Sequence, residues 1–323
     1  MVAINPYLGM VPSLDADAFD ALCSAVAERK CRDLIGAGAL DEAAALWRPH
    51  PSCPSCGFPD CWQNGKTPAG HKRWLCPECG PQFSALTGTV LEYGKKELPA
   101  WERFITCMCY NAPIDLIAEV CEITHRTAFE WRHRVFATVG GCQDRLVLSG
   151  RIRIDEPWLT DSGIVRSADF VQKRGLSKSK ICIAVAIDAF KNVVAVICGH
   201  GKPSSARIRR ALKPHIAEGA VLVHDRERAH GVLVRELKLE DEAHKADVRD
   251  PGYLEAMELV NNLCSWIKRY LWRFTGMDPD NLQSYLNLYV YLFRVKRDDE
   301  RWPKIARVVR HLLMTDARFR SST

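Results

Sequence analysis

The stretch RIRIDEPWL, residues 151–159, decides how the second half of this chain is read. Ile152 and Ile154 alternate with Arg151 and Arg153, the period-two pattern of a half-buried strand. The run ends on Asp155. An acidic side chain at the end of an apolar strand is costly unless it is paired or binds a cation. A second stretch repeats the feature: AVLVHDRERAH, 220–230, places Asp225 at the end of a buried-looking strand.

Between these two runs lie ICIAVAIDA and NVVAVICGH, both strand-like, and then the helical pattern SSARIRRALKPHI. A three-strand meander, a helix and a second Asp-bearing strand come in the order of a ribonuclease-H-like fold. In that fold neighbouring strands hold two Asp side chains side by side and a later helix brings a third ligand. Such a set holds two Mg²⁺ or Mn²⁺ ions roughly 4 Å apart for in-line phosphoryl transfer, since hard dications take oxygen ligands. Among rival carboxylates, Glu156 points to the opposite strand face. Asp161 lies past the strand end, and Asp188 precedes the turn AFKN, where Asp serves turn geometry, a metal role being the second reading. GVLVRELKL, 256–273 and 279–294 read as further helices. The segment MELVNNLCSWIKR, 257–269, supplies Glu258 and Asn261 one turn apart and Lys268 seven residues after Asn261, on nearly the same face. Asn offers a carbonyl oxygen without a charge.

Upstream, 51–90 is dense in Pro, Gly and Cys. CPSC (53–56) and CPEC (76–79) are each followed by Gly and separated by 19 residues. Two residues between thiolates let one turn aim both sulfurs at a single ion, so Cys53, Cys56, Cys76 and Cys79 predict a structural tetrahedral Zn²⁺ site. Cys61 and His71 lie between the knuckles but break the symmetry of the two units. Trp62, Lys66, His71, Lys72, Arg73 and Trp74 suit either a nucleic-acid face or a thin aromatic core.

In 112–139, Ile114, Ile117, Ala118 and Cys121 form one helix face, and Glu122–Thr124 forms a short turn. Thr124 caps a second helix carrying Ala128, Phe129, Val135 and Phe136. That predicts a helix-turn-helix with His125, Arg126, Thr127, Glu130, Arg132 and His133 on or near the exposed side. Arg126 and Thr127, at the N-terminus of the second helix, are the first DNA contacts expected; a plain helical hairpin is the other reading.

The order of these modules, with their motifs, resembles the ISXO-like branch of insertion-sequence transposases. The matching runs are CPxCG…CPxCG leading to FSALTGTV (83–90), KKELPAW (95–101), HRTAFEWRHRV (125–135), IRIDEPW (152–158), KRGLS (173–177) and VNNLCSWIKRYLWRFTGMDPDNLQSYL (260–286). They span roughly 53–294. The resemblance implies Asp155, Asp225 and Asn261 as an Asp-Asp-Asn catalytic and Mg²⁺-binding set, with Glu258 able to add the charge that Asn lacks. It also implies Lys268 as a phosphate contact, beside Lys173 and Arg174 in the basic stretch 166–180. Cys264 stands where relatives often carry His, and Arg226 where a small Gly is usual.

The fold expected is thus α+β and multidomain: an N-terminal helical segment (1–50), zinc ribbon (51–92), helix-turn-helix (93–148), ribonuclease-H-like catalytic domain with a mixed sheet (149–297) and C-terminal helical tail (298–323). The function implied is cleavage of terminal inverted repeats and strand transfer into target DNA, by a dimer or higher assembly. Two alternatives stand beside it: a repurposed DNA-binding protein and a structure-specific nuclease. A net charge of +6 and pI near 8.6 permit a polyanionic partner. Fourteen mostly scattered cysteines do not form a disulfide framework and fit a reducing cytoplasm. The first twenty residues lack a signal-peptide pattern and no run has the length of a membrane span. A cytoplasmic, nucleoid-associated protein is therefore expected.

Overall fold

A computed structural model describes residues 10–68, 70–92, 96–160, 180–274, 277–298 and 303–317. The chain divides into two compact units, 1–138 with 299–323, and 139–298.

In the first unit α1 (Ala16–Ile35) and α2 (Leu40–Trp47) are separated at Gly36, whose φ of 84° ends α1 in the left-handed conformation that glycine accepts without strain. The ribbon follows as β1 (Trp62–Lys66), β2 (Lys72–Leu75) and β3 (Gln82–Ser84), antiparallel in that order. Three helices come next: α3 (Leu98–Cys109), α4 (Ile114–Val120) and α5 (His125–Val139). Trp101 of α3 stacks on Trp131 of α5, with ring centroids 3.8 Å apart and planes at 7°, and Phe104 meets both edge-on. Both indoles are buried. Trp131→Ala is therefore expected to cost this unit about 3–5 kcal/mol, read as a lower urea midpoint of its unfolding transition.

The C-terminal segment is more than a tail. Its helix, the last of the chain at Lys304–Met314, packs on α1, α2 and α3. It buries Ala306, Val308, Val309, Leu312 and Leu313. The amphipathic spacing of those residues explains the docking.

The second unit is a six-stranded mixed sheet. β4 (Arg151–Asp155) lies between antiparallel β6 (Lys180–Asp188) and parallel β8 (Val221–His224). β7 (Val193–His200) pairs with the outer side of β6, and β9 (Glu240–Ala243) runs parallel to β8. The three-residue β5 (Trp158–Thr160) continues β4 past Pro157 and pairs with the start of β6. Leaving β5 aside, the order β7-β6-β4-β8-β9 is the 3-2-1-4-5 arrangement of ribonuclease H. β9, with the sequence EDEA, has too little strand propensity to be seen in the sequence.

Between the strands run α6 (Ser205–Leu212) and α7 (Gly231–Glu236). Ile208, Leu212 and Leu233 from them join Ile152, Ile154, Ala184, Ala186 and Leu222 in the core on one sheet face. The long helix α8 (Pro251–Trp272) lies against β4, β6 and β8, and α9 (Leu282–Asp298) against β7. α8 starts five residues earlier than its apolar spacing suggests, because Asp250 caps it by accepting from the Gly252 amide at 3.0 Å. Among the described residues no helix is long and apolar enough to cross a membrane.

Candidate functional site

The register places the carboxylates. Arg153 of β4 is aligned with Val223 of β8. Two residues on, Asp155 therefore lies beside Asp225, on the same sheet face. Arg153 on that face donates from Nε to the Ala256 carbonyl of α8 at 2.7 Å, which fixes α8 over it. Asp155 is mostly buried, and burial pushes its carboxyl pKa up. The nearby charge of Asp225 adds to this, while the Glu156 amide, the Cys264 thiol and the Lys268 ammonium oppose it. The same burial and carboxylates raise the Tyr253 hydroxyl, so Tyr253 also borders the pair. A cation beside the pair would offset the burial that disfavours the Asp155 charge. Their oxygens suit Mg²⁺ or Mn²⁺.

Asp225 sits just past β8, where the Glu227 amide donates to its Oδ1 at 3.1 Å. The next residue, Arg226, has φ of 65°. Glycine adopts such a left-handed turn without strain, whereas Arg226 is held in it.

Helix α8 presents Cys264 to Asp155, and the thiol is itself held protonated by burial and by the Asp155 charge. Asn261 is half-buried, one turn before Cys264, and Lys268 is exposed one turn after it. Glu258 is a correction. It precedes Cys264 by six residues, about 120° around the helix, and is exposed. Cys264, not Glu258, touches Asp155, so Glu258 does not add its charge to the pair.

Asp188 is fully buried at the end of β6. It accepts from the Asn192 amide at 2.8 Å and from Asn192 Nδ2 at 2.9 Å. It closes the β6–β7 turn, as the turn reading expects. Asp188→Ala should cost about 1–3 kcal/mol in urea unfolding, through the orphaned amide, and leave divalent-metal binding unchanged.

Behind the pair lies a network that the sequence did not reveal. Glu156 turns to the other sheet face, buried, and bonds through Oε1 to His230 Nε2 at 2.7 Å. His230 Nδ1 meets His224 Nδ1 at 3.0 Å, and His224 Nε2 meets Asp241 Oδ1 at 2.9 Å. The only signal was a pair of histidines flanking Asp225 in HDRERAH.

In the ribbon, Cys53, Cys56, Cys76 and Cys79 converge. Sulfur separations are 3.5 Å for Cys53–Cys79, 3.6 Å for Cys56–Cys76 and 3.3 Å for Cys56–Cys79. The amides of Gly57 and Gly80 close the two knuckles on the carbonyls of Cys53 and Cys76, with φ of 77° and 84°. This donor set fits structural Zn²⁺. Cys61 instead turns its thiol to the Phe58 carbonyl, and His71 bonds Asp41, so neither replaces a ligand. Trp74 belongs to the ribbon core with Cys53, Cys76 and Phe83, whereas Trp62 is exposed.

In the helical pair, Thr124 caps α5 by accepting from the Thr127 amide at 3.1 Å. Arg126 is exposed and paired with Glu130. Arg132 is a second correction: it is 2% exposed and donates to the Ala112 carbonyl at 3.0 Å. Its position between Ala128 and Val135 lies on the apolar stripe, and the guanidinium there serves packing. Phe129 shows the converse and is exposed. Lys173 and Arg174 lie outside the described residues.

The chain thus carries a four-thiolate ribbon ahead of a sheet with ribonuclease-H-like strand order and paired carboxylates. Within the chain, residues 51–80 match the InsA N-terminal domain, a zinc ribbon. Over 296 residues the chain is 26% identical to an uncharacterized protein in transposable element ISH50 of Halobacterium salinarum, covering 86% of this chain and 93% of that one. Among solved structures it is similar to a simian T-cell lymphotropic virus intasome in complex with a PP2A regulatory subunit (TM-score 0.31, 12% identity, covering 61% of this chain and 69% of that chain). It is also similar to the Mos1 mariner paired end complex with Mn (TM-score 0.22, 14% identity, 56% and 71%).

Proposed function

We propose that the protein is a transposase that binds the terminal inverted repeats of its element, cuts the strands to free 3′-hydroxyls and joins these to target DNA. The observation that carries this reading is the register-matched pair Asp155 and Asp225 at the ends of neighbouring parallel strands, with Lys268 beside them. The two carboxylates, with the amide oxygen of Asn261, would hold Mg²⁺ or Mn²⁺. Those ions supply activation of the attacking oxygen and stabilisation of the leaving one. Lys268 and the basic residues Lys173 and Arg174 hold DNA phosphates. The ribbon, with its structural Zn²⁺, and helix α5, through Arg126 and Thr127, recognise the duplex. Two element ends must meet, so the working form is a dimer or higher assembly on DNA in the nucleoid.

Incubation with a labelled element end and a supercoiled target in Mg²⁺ or Mn²⁺ tests the reading. Joined product supports it. Cutting without joining indicates a nuclease, and tight binding without cutting indicates a DNA-binding derivative. Arg126→Ala is expected to weaken binding of the element end by about 1–3 kcal/mol, read by fluorescence anisotropy. Arg132→Ala should instead lower the stability of the first unit.

A further inference from the structure

Two buried histidines point the same ring nitrogen at each other. His224 Nδ1 and His230 Nδ1 are 3.0 Å apart, with His230 0% and His224 5% exposed. The opposite nitrogen of each ring is already held by a carboxylate, Asp241 on His224 at 2.9 Å and Glu156 on His230 at 2.7 Å. A carboxylate fixes a proton on the nitrogen it touches, which leaves the two Nδ1 atoms to share one proton or to turn their lone pairs to one metal ion. At this distance either a proton or a metal cation can lie between them. Two nitrogens bound to one tetrahedral metal at ordinary bond lengths stand about 3.3 Å apart, close to what is seen. A carboxylate oxygen of Asp225 completes a trio whose ligand atoms all lie within 4.8 Å of one another.

We propose that His224, His230 and Asp225 form a binding site for a transition-metal dication of the Zn²⁺ class. Imidazole nitrogens suit such ions, whereas Mg²⁺ prefers an all-oxygen set. The site is therefore chemically distinct from the Asp155–Asp225 pair, although it shares Asp225. Asp241 and Glu156 are its outer shell, each orienting one ring. The bound ion fixes the orientation of Asp225 and ties β8 to the start of α7. The assignment stands on its own ligands; only the importance of Asp225 to catalysis rests on the proposed function.

The test is a zinc count on the full chain equilibrated with Zn²⁺. A thiol-modifying mercurial releases ribbon zinc, and acid releases the remainder. The expected result is two Zn²⁺ per chain, one released by the mercurial and one only by acid. His224→Gln and His230→Gln should lose the acid-released ion. Asp241→Asn, at a half-exposed position that packing does not constrain, should weaken it about 10–100-fold. Asp155→Asn should retain it, even if that variant no longer joins DNA, so this site and the proposed catalysis fail separately. A wild-type chain holding only mercurial-released zinc overturns the site and leaves a plain imidazole–imidazole hydrogen bond. So does acid-released zinc that survives both His variants or disappears in Asp155→Asn. Should the His variants fail to fold, the wild-type count and Asp241→Asn decide the matter.

Discussion

Asp155→Ala is expected to lower metal-dependent strand cleavage and joining by about a thousandfold or more, with binding of the element end unchanged. The magnitude follows from losing one of the two carboxylates proposed to hold the catalytic ions. Such ions contribute several kcal/mol of transition-state stabilisation, and each 1.36 kcal/mol is tenfold in rate. The fold should tolerate the change, because Asp155 is an electrostatic burden on the metal-free protein. It is mostly buried, next to Asp225, and its principal hydrogen bonds come from the Glu156 amide and the Cys264 thiol. The accompanying signature is thermal. Mn²⁺ at about 100 times its Kd should stabilise the wild-type second unit by about 2.7 kcal/mol and do nothing for Asp155→Ala. A variant that loses cleavage but still gains Tm from Mn²⁺ would place the ion elsewhere. Cleavage that survives the substitution would move catalysis away from the pair.

Removal of zinc from the ribbon is the second large effect. Cys53→Ser with Cys76→Ser, or treatment with a strong chelator, should unfold residues 51–90 while the second unit keeps its cooperative transition. Among the described residues the ribbon core is Cys53, Trp74, Cys76 and Phe83, with Phe58 and Cys61 packed against it. Three short strands around so few apolar side chains do not hold themselves together. Binding free energy for such a site is on the order of 10–16 kcal/mol and is effectively folding free energy. Trp74 reports the change directly, since it is 7% exposed in the folded ribbon. Its ¹⁹F resonance in protein labelled with 5-fluorotryptophan should move to that of a solvated indole, and affinity for the element end should fall with it. An unchanged Trp74 spectrum after complete zinc removal would show that the ribbon folds without the ion.

Much of this was legible in the sequence. Repetition makes the cysteine knuckles readable, because two Cys-Pro-x-Cys-Gly units serve no other simple purpose. The Asp strands were readable because an acid at the end of an apolar run has few stable explanations, and the pairing of β4 with β8 follows from the connection between them. Other parts depend on packing that leaves no local trace. Arg132 carries a charge and was read as solvent-facing, yet its spacing from Ala128 and Val135 places it within the buried stripe of α5. Glu258 was read by charge as well, although Cys264 and Tyr253 mark the face of α8 that meets Asp155. The edge strand β9 is built of Glu240, Asp241, Glu242 and Ala243 and is a strand only because β8 pairs with it. The link between Glu156 and His230 crosses 73 intervening residues and has no period to reveal it.

Diffraction from crystals soaked in MnCl₂, with data collected for manganese anomalous scattering, tests the central claim most directly. The account predicts a peak within about 2.0–2.3 Å of carboxylate oxygens from both Asp155 and Asp225, with the Asp155–Cys264 hydrogen bond released and Asn261 turned toward the ion. Manganese bound elsewhere, or no peak while Asp155 still bonds Cys264, would contradict it.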